Sequence, residues 1–335
     1  MAAHIFVLSE DNYQVCVRRG IVGLPEVSPD SKNVNNTIDG LISRLSLIKE
    51  NDYILFYITG KKELRGLWKA CGDAFYDETP VWTDKIYPFR YRLSNTEYSF
   101  ENPLHLHDIF DLQNAGKIWT FALKRASGSN AVFSITDTEF SVIMNEYFKI
   151  NPFSIKRNII MEPYPVRQSN LFEHLHFTPE QEPKYEYTLM SLLLRDFAQR
   201  RHVETFGQYT DFLPYVPTNL QTEMDILLLF GSPINPKEIV SYDVLELKRD
   251  LFDEKALKQL IGYESWFIQK KVHGDLNMVR TTAVAARFDP SVVAYVEKRK
   301  QIEGKEIKLL RYDYRDNAVQ LIPLCQSNTQ QENGT

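Results

Sequence analysis

Glu223-Met224-Asp225-Ile226-Leu227-Leu228-Leu229-Phe230, followed by Tyr242-Asp243-Val244-Leu245-Glu246-Leu247-Lys248-Arg249-Asp250, decides the second half of this chain. Gly231, Pro233 and Pro236 lie between the two runs and punctuate a turn. Each run is apolar enough to be a buried strand, over 224–230 and 240–248. Side chains alternate along a strand, so Glu246 and Lys248 share one face while Leu245 and Leu247 turn to the other. The segment 253–270 reads as a helix, on which Gln259 and Tyr263 stand one turn apart and Trp266 follows on the same side.

The surrounding pattern extends this core. A helix is expected from Lys184 to Gln199, and strands at 279–288, 306–313 and 317–323. Helices alternating with strands give an α/β layout, a sheet covered by helices. Upstream, prolines at 152, 163, 165, 179 and 183 mark a linker. The first half is richer in strands: 4–8, 52–58, 64–70, 89–93, 118–123 and 131–135. Thr59 to Lys62 turns one pair into a hairpin. Residues 12–19 fit helix or strand; Thr37 is expected to cap a helix carrying Ile38, Leu41, Ile42 and Leu45; and a helix covers 138–149. Residues 209–215 have no clear pattern, and 326–335 reads as a polar, disordered tail.

Bulk composition excludes several classes. A net charge of -5 leaves no polycation, so any grip on nucleic acid must be local. Arg18-Arg19, Arg200-Arg201, Lys270-Lys271 and Lys298-Arg299-Lys300 are the candidates. Three scattered cysteines, Cys16, Cys71 and Cys325, make neither a disulfide framework nor a zinc ribbon. With no basic leader and no membrane-length apolar run, a cytoplasmic location is expected. His105 and His107 lack further ligands at metal spacing and read as surface residues.

Carboxylates set amid apolar strands need partners. Asp225, Glu246 and the Leu247 carbonyl are hard oxygen donors of the kind Mg²⁺ takes, with Mn²⁺ as a substitute. A bound Mg²⁺ would neutralise a phosphodiester and activate a water, and Lys248 would orient that water. Glu186 shares a helix face with Leu189, Met190 and Leu193, so it too wants a partner.

On these residues the second half resembles the PD-(D/E)xK nuclease superfamily, and within it the archaeal NucS-type endonuclease domain. Met224-Asp225-Ile226-Leu227, Val244 to Arg249, and Gln259-Leu260-Ile261-Gly262-Tyr263 carry the likeness, over roughly 180–323. The resemblance implies a restriction-endonuclease-like α/β fold over 184–325. It implies Asp225, Glu246 and Leu247 as metal ligands and Lys248 as the water's assistant. Gln259 and Tyr263 would position nucleic acid, and Glu186 matches the family's helical Glu. Glu223 stands where glycine is common, and is left open between ligand and bystander.

The first half resembles the EVE domain, a PUA-like relative of YTH modules, over 3–150. His4 to Leu8, Ile48 to Tyr57, Leu64-Arg65-Gly66-Leu67 and Val81-Trp82-Thr83-Asp84-Lys85-Ile86-Tyr87 carry it. The implied fold is a PUA-like β-barrel with flanking helices over 1–152, joined by a linker over 153–183. The implied activity is capture of a flipped, modified base on aromatic rings, with Trp82 and Tyr87 in the cage segment. Trp82 fits cage and core equally; Tyr57 and Trp68 read as core. Together the halves point to an Mg²⁺-dependent endonuclease acting on modified DNA as a homodimer. A mismatch or branched-DNA repair nuclease and a non-catalytic binding module are the alternatives.

Overall fold

The computed structural model describes residues 3–121, 131–153, 160–165, 169–218 and 222–324. The chain divides into two compact units, Met1–Gln199 and Arg200–Thr335.

The first unit runs β1 (Ala3–Leu8), α1 (Glu10–Arg19), β2 (Ile21–Leu24), α2 (Val34–Ser46), β3 (Tyr53–Ile58), β4 (Glu63–Tyr76), β5 (Phe89–Asn95), β6 (Leu104–His105), α3 (Leu106–Asn114), β7 (Val132–Ile135), α4 (Asp137–Ile150) and α5 (Glu186–Ala198). Caps settle the ambiguous segment 12–19 as helix. Ser9 accepts the Asn12 N–H at the start, and Gly20 takes a left-handed φ of 61° at the end. Thr37 is not the cap of α2. Asn33 holds that position, and the Thr37 hydroxyl bonds back to the Asn33 carbonyl at 3.0 Å inside the helix.

The sheet is ordered β2-β5-β4-β3-β1-β7, with β6 on β4. β1 and β3 are parallel, joined through α1, β2 and α2; β3 and β4 form the expected hairpin. The expected barrel is not closed among the described residues. Closure needs the end strands to pair, and the short β2 and β7 bond only to β5 and β1.

The strand expected at 118–123 is absent from its described part, Ile118 to Phe121. Glu139 takes those amides instead. Its carboxylate accepts the Trp119 and Thr120 N–H groups at 2.6 and 2.8 Å, the Thr120 hydroxyl at 2.6 Å, and the Thr136 N–H and hydroxyl at 2.8 and 2.9 Å. The Trp119 and Thr120 amides are thereby lost to a ladder, although Ile118 and Phe121 still enter the core.

Where described, the segment expected to be a linker is fastened to the first unit. Tyr164 donates to Asp77 at 2.7 Å and accepts from Arg90 at 2.9 Å; Ser169 donates to the Tyr76 carbonyl at 2.7 Å. Asp39 is fully buried on α2 and collects its donors from this stretch and from α5: His176 Nδ1 at 2.7 Å and the Thr188 hydroxyl. Helix α5, expected with the second half, therefore packs on α2 in the first unit.

The second unit runs α6 (Val203–Phe206), β8 (Asp211–Pro217), β9 (Glu223–Gly231), β10 (Ile239–Phe252), α7 (Glu254–Lys270), β11 (Val279–Phe288), α8 (Pro290–Glu303), β12 (Ile307–Arg315) and β13 (Ala318–Pro323). Its sheet is ordered β13-β12-β11-β10-β9-β8, parallel through β10, β11 and β12 and antiparallel at both sides. The patternless segment 209–215 contributes the edge strand β8. The helix α8 was not anticipated, although Asp289 accepting from the Ser291 N–H, with Pro290 first in the helix, is a legible start signal. Cys325 and the tail 326–335 lie outside the described residues.

Candidate functional site

Strand register assembles the candidate site in the second unit. β9 and β10 are antiparallel, with Val244 opposite Leu227 and Leu245 opposite Ile226. One step further along, Glu246 meets the level of Asp225 on the same face. The contacts agree: Asp225 Oδ2 accepts the Leu247 N–H at 2.7 Å. Glu246 is fully buried, and its Oε1 accepts from Lys248 Nζ at 2.8 Å. The same ammonium donates to the Leu247 carbonyl at 2.8 Å. Asp225, Glu246, Leu247 and Lys248 thus form one connected cluster.

The neighbouring strand leaves room beside it. Ala283 pairs with Glu246 and Ala285 with Lys248, so methyl groups flank the charged pair. Helix α7 covers this face, with Phe267 packed 4.7 Å from Tyr242. Tyr263 is buried on α7; it donates to the Glu223 carbonyl at 2.7 Å and accepts from Gln259 Nε2 at 2.7 Å. Burial above all raises its phenol pKa, and the nearby Glu246 and Asp225 carboxylates raise it further. Tyr263 therefore stays a neutral donor throughout the physiological range. Glu186 opens α5 in the first unit, where a first-turn acid is favoured by the helix dipole. Among the described residues, no group of three or more His, Cys, Asp or Glu side chains is placed to hold a metal.

The opposite face of the sheet holds a polar group that the sequence reading missed. Asp243 is buried and accepts from Thr282 Oγ1 at 3.0 Å. Burial pushes its carboxyl up to about 6, against the opposing pull of Arg280, Thr282 and Lys308. The folded state then holds a proton that the unfolded chain releases near the ordinary aspartate value of 3.8, so this contribution to stability is complete below that value and lost as pH rises through about 6. Asp243→Asn is expected to flatten that decline. Urea unfolding between pH 4 and pH 7 should show the variant gaining on the wild type by up to about 2–3 kcal/mol. Parallel pH profiles for the two proteins would refute this. The signal was present in the sequence: Asp243 lies three residues before Glu246 and so has opposite parity.

In the first unit, Trp82 is buried, with its ring 4.8 Å from that of Tyr87 and the Arg90 guanidinium 5.3 Å from its centroid. Tyr87 is half-buried; its hydroxyl donates to Asp84 at 2.7 Å and accepts from Asn12 Nδ2 at 2.6 Å. A Cβ on Gly23 would lie 2.9 Å from Tyr87 Cβ and 3.1 Å from Trp82 Cη2, so only glycine lets β2 pass this close. The two rings are brought together in a tightly packed setting. Tyr57 and Trp68 are buried. His105 and His107 lie at the exposed start of α3.

The basic runs are largely engaged. Arg18 pairs with Glu162, Arg200 donates to the Tyr209 and Thr210 carbonyls, Arg299 is buried against Glu264, and Lys300 reaches Glu306. No helix among the described residues is long and apolar enough to cross a membrane.

No curated protein matches the chain. Among solved structures, an EndoMS complex with double-stranded DNA is 21% identical over 35% of this chain and 44% of its own, with a TM-score of 0.25. A repair endonuclease from Pyrococcus abyssi is 21% identical over 34% of this chain and 45% of its own, with a TM-score of 0.24. The chain thus spans less than half the length of either endonuclease. A hypothetical protein from Leishmania major is 13% identical over 44% of this chain and 96% of its own, with a TM-score of 0.32. Residues 26–146 match the family model of the EVE domain, which places an EVE domain within the first unit.

Proposed function

We propose that this chain is a Mg²⁺-dependent endodeoxyribonuclease that cuts DNA carrying a modified base. One observation carries the reading: Asp225, Glu246, the Leu247 carbonyl and Lys248 converge in a single hydrogen-bonded cluster. Asp225, Glu246 and Leu247 would hold the metal. Their donor set suits it, since Mg²⁺ takes one or two carboxylates and keeps several waters. The Lys248 ammonium already rests against Glu246 Oε1 and the Leu247 carbonyl, so those oxygens accept a cation at hydrogen-bonding distance. Bound there, Mg²⁺ would supply charge neutralisation at the phosphate and a more acidic water.

The chain's own residues do the rest. Lys248, about a quarter exposed, swings between its two oxygen partners and a water, orienting that water toward phosphorus. Gln259 is half-buried and fixed through Tyr263, and it positions the nucleic-acid backbone. Tyr87 of the first unit, half-buried, would meet an extruded base, with the buried Trp82 ring packed behind it. One such site cuts one strand, so a double-strand break calls for a second copy of the chain.

The test is plasmid cleavage. Matched plasmids, unmodified or carrying 5-methylcytosine, 5-hydroxymethylcytosine or N6-methyladenine, are incubated with Mg²⁺, Mn²⁺ or EDTA. Cutting of a modified plasmid alone is expected, abolished by EDTA and restored by Mn²⁺. Cutting of mismatched or flapped DNA regardless of modification would replace restriction by repair. Base-dependent binding with no cutting in any metal would overturn the hydrolytic reading.

A further inference from the structure

Gly40 on α2 and Gly262 on α7 both lie inside helices, and they differ in what they meet. Glycine in a helix interior costs stability relative to alanine, so each position needs a reason. Gly40 has one within the chain. A Cβ there would lie 3.2 Å from the Tyr187 ring of α5, so glycine lets the two helices close. Gly262 has no such neighbour. Its φ is not left-handed, and a Cβ there would meet nothing within 4 Å among the described residues. Neither backbone conformation nor packing accounts for it, and it leaves a bare patch of helix backbone open to a partner.

The residues around that patch select the partner. Helical spacing puts Lys255, Lys258, Ser265, Trp266 and Gln269 on the same side of α7 as Gly262, and no carboxylate shares it. Both lysines are exposed, and neither forms an ion pair among the described residues, even with Glu254, the exposed acid of the first turn. The basic runs elsewhere are largely engaged, so in a chain of net charge -5 these two cations are free to meet phosphates. Trp266 is half-buried, with the Lys271 ammonium 5.7 Å from its ring centroid. A second copy of the chain seated here would set lysine against lysine across a two-fold axis, whereas a phosphodiester strand complements them. The face also leads to the candidate site. Gln259 lies one turn before Gly262, and Tyr263, next in the chain, donates to the Glu223 carbonyl at the start of β9.

We propose that one DNA strand crosses the outer face of α7 at Gly262, its sugar-phosphate backbone lying on the bare helix, with Lys255 and Lys258 on its phosphates and Trp266 against a sugar. This track rests on the reading of the second unit as acting on DNA, and supplies the local grip that the net charge does not. The test is fluorescence anisotropy of a labelled DNA duplex, unmodified or carrying 5-hydroxymethylcytosine, titrated with the full-length protein in EDTA so that binding is read without metal-dependent cleavage. Gly262→Ala should raise the melting temperature by about 2–4 °C, because the helix gains and nothing clashes. Gly262→Leu should stay folded yet bind the duplex about tenfold more weakly, because its side chain holds the strand away from the lysines. Replacing Lys255 and Lys258 together by alanine should lower the slope of log affinity against log salt by about two. The track is overturned if folded Gly262→Leu binds as tightly as the wild type, or if the double lysine variant keeps the wild-type salt slope. Loss of self-association by Gly262→Leu at unchanged DNA affinity would give the face to a second copy instead. Weakened binding in these variants of a protein that never cuts would uphold the track and overturn hydrolysis alone; no DNA binding by the wild type would overturn both.

Discussion

Glu246→Gln and Lys248→Ala are each expected to reduce the proposed metal-dependent DNA cleavage by about a thousandfold or more, with the protein still folded. Glu246 is fully buried in the middle of a central strand, so glutamine keeps its shape and removes only its charge. A neutral amide is a poor ligand for Mg²⁺ and does not balance the Lys248 ammonium 2.8 Å away. Lys248→Ala leaves both carboxylates in place and removes the group proposed to orient the water. The pair separates two roles: Glu246→Gln should weaken the Mg²⁺ dependence itself, and Lys248→Ala should lower the rate at saturating metal. Time courses of plasmid nicking across a Mg²⁺ series, with melting curves alongside, measure both. Cleavage by either variant within tenfold of the wild type would sink the site. Glu223→Gln resolves the open position, because a ligand would follow Glu246 and a bystander would leave the rate unchanged.

Glu139→Ala is expected to destabilise the first unit by about 3–5 kcal/mol. Glu139 is 1% exposed and its two oxygens gather five donors from two segments distant in sequence. Part of this is the capping box of α4, Thr136 with Glu139, worth about 1 kcal/mol at most helix starts. The larger part comes from the Trp119 and Thr120 amides, which would be stranded without an acceptor. Glu139→Gln keeps one acceptor oxygen and should fall between the two. Urea unfolding, followed by a probe in the first unit, measures the loss. A change under about 1 kcal/mol would mean that water replaces the carboxylate freely.

Thr136-Asp137-Thr138-Glu139 could have been read as a capping box, because that signal is local. Nothing local says that the same carboxylate also removes Trp119 and Thr120 from the sheet. The absence of a strand at Ile118 to Phe121 has that cause: strand propensity was present, but the Trp119 and Thr120 donors were claimed from a distance. The barrel expectation went astray for a related reason. Alternation identified the strands, while closure depends on which ends bond, and β2 and β7 do not bond to each other.

Strand parity alone put Glu246 and Lys248 on one face and the leucines on the other, and helical periodicity alone made Gln259 and Tyr263 neighbours. Both follow from backbone geometry within a few residues, so the sequence by itself determined them. Tertiary structure decided what those residues meet. The antiparallel register of β9 and β10 brought Asp225 to Glu246 across 21 positions of chain. The buried Asp39 drew His176 and Thr188 toward α2, so α5 packs in the first unit although the sequence reading grouped it with the second. Pairing between distant segments is chosen by the donors and acceptors each must satisfy once buried, a quantity that exists only when the chain has folded.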